Sequence, residues 1–264
     1  MVAAIRLAIG VLVAVSVSAG EATAARRAMC LTCHRAHHAD HGTCNSCHGG
    51  NDRTTRKQVA HDNLVAGRLA RHHIRNSPAV ARGSKLIETL ACRRCHTSGK
   101  TGNRLSGDLD RVSAHRHPLA LEESILHPAE NMPDFRLNRE NAADIVNAIM
   151  AKRAAAGTTD LPLVLRFRKK EGAGSTIFAR KCGACHRALT SRHGPQGEGD
   201  IGPNLSGLLS RFYPATFEND RPWNVERLQK WLHNPRLVRP HAMMKPVPVK
   251  NSEFKELLEV LGRD

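Results

Sequence analysis

The chain has 264 residues, and 40 Lys and Arg against 24 Asp and Glu give it a formal charge of +16. Its 41% apolar content excludes a disordered chain, and no collagen or heptad period runs through it. Aromatics are only 3% of residues, few rings for a chain of this length, so another group is expected to fill core volume.

In chain order, Arg6 precedes an apolar run from Leu7 to Val17, and Ala22-Thr23-Ala24 follows as an A-x-A pattern. The run falls short of the roughly 18 apolar residues that span a bilayer. Residues 1–24 therefore read as a secretory signal. The mature chain is expected to be exported, with no transmembrane span.

Export makes disulfides the default use of cysteine. The spacing argues otherwise. All eight cysteines fall in pairs with two residues between, and each pair is followed at once by histidine. The pairs are Cys30 and Cys33 before His34, Cys44 and Cys47 before His48, Cys92 and Cys95 before His96, and Cys182 and Cys185 before His186. C-x-x-C-H is the attachment motif of c-type haem. Two thiols one helical turn apart can bind the two vinyl groups of one macrocycle, and the next residue presents its imidazole to the iron. A zinc site of four thiolates suits the first two pairs only, because Cys92 and Cys182 have no second pair nearby. Four covalently attached haem c groups are expected.

Motif spacing divides the chain. Residues 25–79 hold two motifs in a stretch too short for two protein cores, so the haems must pack on each other. Apart from Met29, beside the first cysteine, this segment has no methionine, but it contains His37, His38, His41, His61, His72 and His73. Bis-histidine coordination follows. His61 and one of His37, His38 and His41 are the candidate distal ligands, with His38 taken from that trio. Residues 80–156 read as helix, haem motif, Gly-rich loop, helix, Met-Pro, helix. The first helix runs from Gly83 to Ala91, the loop from Gly99 to Asp108, and the second helix from Leu119 to Leu126. Ala142, Ile145, Val146, Ile149 and Met150 form a core face at helical spacing in the last. Met132, before Pro133, is the candidate distal ligand.

Residues 157–264 repeat this plan. A leading helix ends at Cys182, and Gly202-Pro203-Asn204-Leu205 can aim the Pro203 carbonyl at His186. Asn224 to His233 is helical, and Ser252 to Leu261 closes the chain with Phe254, Leu257, Leu258 and Leu261 on one face. Of Met243 and Met244, Met244 is preferred as the distal ligand. The fold class is mainly α: a compact dihaem segment followed by two helical monohaem domains.

Residues 170–264 resemble class I cytochromes c. Gly174, Phe178 and Cys182 fall at the family's spacing, followed by Gly202-Pro203-Asn204-Leu205, then Trp231-Leu232 with Asn234-Pro235, then Met244 with Pro246. Residues 80–156 resemble that family less completely, with Gly102-Asn103-Arg104-Leu105 standing for the second of these motifs without its proline. The mature chain is also similar to the multihaem cytochromes of the selenite/tellurite reduction operon type, the Ext-type electron conduit proteins. The matching stretches run from Cys44 to Lys57, Ala91 to His96, Asn131 to Leu137 and Gly199 to Leu208. That resemblance implies electron transfer across the cell envelope, with other multihaem cytochromes and an outer-membrane protein as partners. The lipid-attachment context common in that family is missing before Cys30.

An iron with six ligands exchanges electrons and binds no substrate. The expected function is a periplasmic tetrahaem electron carrier with no catalytic residue. The competing class is a haem enzyme, a peroxidase or an oxyanion reductase, with one five-coordinate iron. The positive charge reads as steering toward acidic redox proteins rather than nucleic acid, because the chain is exported. Arg93 and Arg94 are expected to pair with haem propionates.

Overall fold

The computed structural model describes residues 28–129, 131–152 and 176–262. The expected signal over 1–24 and the start of the C-terminal segment, up to residue 175, lie outside the described residues. The protein is mainly helical. Among the described residues no helix is long and apolar enough to cross a membrane.

The N-terminal segment is built from short turns. Besides 3-10 turns it has only α1 (Cys44–His48) and α2 (Lys57–Ala60). No residue of these two helices is buried. Five-residue and four-residue helices lack the length to be stable alone, so what they pack on must hold them.

The middle domain is organised by α3 (Pro78–Thr89), α4 (Leu109–His115), α5 (Pro118–Leu126) and α6 (Arg139–Ala151). Pro78 and Pro118 sit in the first turns of their helices, where no amide donor is needed. Asp108 and Asn138 cap α4 and α6 by accepting backbone N–H bonds from Asp110 and Asn141. Helices α3 and α6 cross at Gly83. A Cβ there would lie 1.9 Å from the Asp144 carbonyl oxygen, so only glycine permits so close a crossing.

Every residue of α6 from Ala142 to Met150 is buried. The apolar positions expected in its core face are all included. Asp144 and Asn147, which a helical wheel would turn to water, are buried too. Arg82 Nε and Nη2 donate to the two Asp144 carboxylate oxygens at 2.6 and 2.9 Å. Asn147 Oδ1 accepts from the His72 amide (2.8 Å), and its Nδ2 donates to the Arg68 carbonyl (2.7 Å). Residues 67–73 thus cover the polar side of α6, and Leu69 is fully buried in the middle core. Packing is continuous across the boundary expected at 79/80.

The C-terminal domain contains α7 (Ile177–Lys181), a hairpin of β1 (Ala188–Thr190) and β2 (Gly194–Gln196), α8 (Val225–His233), α9 (Pro235–Val238) and α10 (Asn251–Leu261). The antiparallel hairpin pairs Leu189 with Pro195 and was not anticipated. Its short strands are held from outside, where Thr176 donates to Gln196 Oε1 at 2.6 Å and Ser206 Oγ accepts from the Leu189 amide at 2.7 Å. A separate apolar core gathers Ile177, Phe178, Leu228, Leu232, Phe254 and Leu257.

Candidate functional site

All four C-x-x-C-H motifs make one tight turn. The His34, His96 and His186 amides donate to the carbonyls of Cys30, Cys92 and Cys182 at 2.9, 3.0 and 2.9 Å. The fourth motif, Cys44–His48, is α1 itself. No disulfide joins any of the eight cysteines. Burial pushes the Cys92 and Cys182 thiols up to about 11, so both are neutral at physiological pH.

Three of the four imidazoles are fixed by a carbonyl acceptor. His48 Nδ1 donates to Val65 (3.0 Å), His96 Nδ1 to Gly107 (2.8 Å) and His186 Nδ1 to Pro203 (2.8 Å). A carbonyl only accepts, so the hydrogen is on Nδ1 and the Nε2 lone pair is free for a metal. Burial also holds His96 below the usual histidine range, in the neutral form that ligates.

The brace of His96 corrects one expectation. Gly102-Asn103-Arg104-Leu105 does not take the role of Gly202-Pro203-Asn204-Leu205. The equivalent stretch is Ser106-Gly107-Asp108-Leu109. Ser106 N donates to Cys95 O as Gly202 N does to Cys185 O, and Leu109 N donates to Thr97 O as Leu205 N does to Arg187 O. Any residue can present a carbonyl, so proline was a misleading marker. The Val65 brace had no signal in the sequence for the same reason.

Of the five histidine ring contacts among the described residues of the N-terminal segment, two set a motif histidine against a histidine outside the motifs. The rings of His34 and His61 are 6.0 Å apart, centroid to centroid. His37 Nε2 lies 3.4 Å from His48 Nε2, with the ring centroids 5.6 Å apart. His38, taken above as the second distal ligand, is not the residue set against His48. Its backbone is left-handed, with φ of 48°. Its ring joins Asp40 and His41 in a group whose donor atoms lie within 4.8 Å of one another.

Around His96 an open cleft of about 410 Å³ is lined by Cys92, Cys95, Met132, Pro133 and Phe135 among others. Met132 is partly buried against the middle core, while Met150 is wholly inside that core. In the C-terminal domain Met243 is 92% exposed and Met244 packs on the apolar core. Trp231 Nε1 donates to Met244 Sδ at 3.0 Å, a partner the sequence did not indicate.

Arg93 and Arg94, the expected propionate partners, also make contacts within the protein. Arg93 donates to the Ser98 carbonyl and pairs with Glu88. Arg94 donates to the Asn204 carbonyl of the other domain.

The donor sets fit haem c: paired thiols on one turn, an imidazole aimed in three motifs through its other nitrogen, and a mostly apolar cleft beside His96. A chain with these motifs, braces and helical cores is a c-type cytochrome. It carries two cytochrome c domains, and so bears covalently bound haem c and transfers electrons. Residues 78–149 match the family of cytochrome C oxidase, cbb3-type, subunit III, and residues 172–260 match the cytochrome c family. Comparison with curated proteins and with solved structures finds no match.

Proposed function

We propose that the protein is a tetrahaem electron carrier of the cell envelope, exported to the periplasm and part of a conduit toward the outer membrane. The observation that carries this reading is the facing of His34 with His61 and of His37 with His48. It gives each N-terminal motif a second imidazole in a segment too short for two further protein cores. Cys30 and Cys33, Cys44 and Cys47, Cys92 and Cys95, and Cys182 and Cys185 hold one haem each. His34 and His61 are the ligands of the first iron, His48 and His37 of the second, His96 and Met132 of the third, and His186 and Met244 of the fourth.

Bound haem provides a one-electron couple at each site. The chain orients the ligands through the Val65, Gly107 and Pro203 carbonyls and closes the sixth position to substrate. Thioether ligation raises the potential above that of bis-histidine. The N-terminal pair therefore forms the low-potential end and the two domains behind it the high-potential end. The Ext-type resemblance and the basic charge support acidic redox proteins, other multihaem cytochromes and an outer-membrane protein as partners.

Intact mass and a pyridine haemochrome assay should count four haems. Electron paramagnetic resonance of the oxidised protein at neutral pH should show only low-spin iron. A high-spin ferric signal would overturn the carrier reading in favour of an enzyme with an open iron, and a count of two would remove the N-terminal pair.

A further inference from the structure

The middle and C-terminal domains meet at the third haem motif. Arg94 Nη1 donates to the Asn204 carbonyl at 3.2 Å, and the guanidinium lies over the Tyr213 ring, 5.5 Å from its centroid. Asn103 Nδ2 donates to Ser210 Oγ (2.8 Å), and Asn204 Nδ2 donates to the Asn131 carbonyl (2.8 Å), beside Met132. Gly207, at φ +68°, comes so close that a Cβ there would lie 2.6 Å from the Arg94 carbonyl oxygen. Leu189 of β1 packs with Cys95 and Leu105, and it lines the same cleft as His96 and Met132. Ser206, fully buried, lies beside Cys95 and accepts from the Leu189 amide at 2.7 Å.

Two consequences follow for that cleft. Arg94 is only 8% exposed, and the C-terminal domain gives it a carbonyl and an aromatic ring. A cation held away from water exerts a strong field on the site it borders. The C-terminal domain also covers the Cys95 edge, and burial is one of the settings that fix a haem potential. Excluding water and holding a positive charge nearby both disfavour the more positive, oxidised iron. The two effects act in the same direction.

We propose that the C-terminal domain is a functional wall of the third haem site: through Leu189 and Ser206 it seals the Cys95 edge, through Tyr213 and Asn204 it buries the Arg94 cation, and so it raises that site's potential. The potential of the third site is then a property of the docked pair of domains. This rests on the His96 and Met132 assignment above. Arg94, Leu189 and Tyr213 are positioning residues.

The test uses the full holoprotein and the variants Arg94→Gln, Tyr213→Ala and Leu189→Ser. Potentiometry with magnetic circular dichroism separates the methionine-ligated signals, and hydrogen exchange over residues 203–210 reads the docking. Each variant should lower the third site's potential. For Arg94→Gln the reduced-to-oxidised ratio at fixed potential should fall about tenfold, ~59 mV for a one-electron couple. Exchange over 203–210 should quicken, and Arg94→Lys should restore part of the potential. Tyr213→Phe is a milder variant should Tyr213→Ala fail to fold. An unchanged third potential in variants whose exchange has quickened would overturn the proposal. So would wild-type exchange already as fast as in the variants. Fewer than four haems in the wild type would instead count against the tetrahaem reading, and the third potential would still be read.

Discussion

At the residue scale, the sites are decided by which atom of a side chain is left free. A C-x-x-C-H motif names a proximal imidazole, but a carbonyl elsewhere aims it. The Gly107 and Pro203 carbonyls do the same work at 2.8 Å, although only one belongs to a recognisable motif. Distal ligands depend on a finer detail still. His37 and His38 are adjacent, and the left-handed backbone at His38 directs the two rings to different places. Met243 and Met244 are adjacent too, and burial separates them. The Trp231 bond to Met244 sulfur gives a prediction at this scale. The N–H draws electron density from the thioether, which favours reduced iron. On the proposed ligation by Met244, Trp231→Phe should therefore lower the potential of the C-terminal haem and leave that ligation intact. A hydrogen bond of about 1 kcal/mol corresponds to a shift of roughly 40 mV, readable by potentiometry.

At the element scale, α6 shows how much the sequence pattern conveys and where it stops. Its apolar stripe from Ala142 to Met150 was legible because helical spacing marks a core face. The burial of Asp144 and Asn147 was not, since it comes from residues 67–73 and Arg82, distant in the chain. The hairpin of β1 and β2 was likewise invisible: three-residue strands carry no periodicity, and their partners are Thr176 and Ser206. The first turn of α6 is tied to the segment before the domain by an ion pair between Glu140 and Arg71. The hydrogen bond from Arg71 holds the Glu140 carboxyl below its ordinary value of 4.5. A lowered folded value means stability that is complete above the ordinary carboxylate range and is lost as pH falls through the lowered value. The difference in melting temperature between wild type and Glu140→Gln should accordingly be open near pH 7 and close in acid. A gap that stays constant with pH would show that the pair contributes nothing.

At the scale of the whole molecule, charge and packing meet. On the proposed count of four haems, the formal +16 overstates the loaded protein, because about two propionates per haem would bring it to about +8. Reduction by an acidic donor protein should slow steeply between about 0.05 and 0.5 M salt as screening shortens the reach of that charge. Stopped-flow rates with an uncharged reductant should stay flat over the same range. The shortage of aromatics also resolves at this scale. The cleft beside His96 is lined by Phe135 but is otherwise bounded mostly by aliphatic and motif residues, and a bound haem would supply the missing ring surface. The cofactor class was legible in the sequence alone, through the C-x-x-C-H motifs. So were the helical class and the two domain plans, because covalent attachment and helical packing both need residues at short, regular spacing. The carbonyls that brace the rings, the approach of His37 to His48, the burial of Met244 beside an exposed Met243 and the junction at Arg94 were decided only by the tertiary structure. Those contacts join residues far apart in the chain, or separate neighbours by backbone conformation, and neither leaves a local pattern to read.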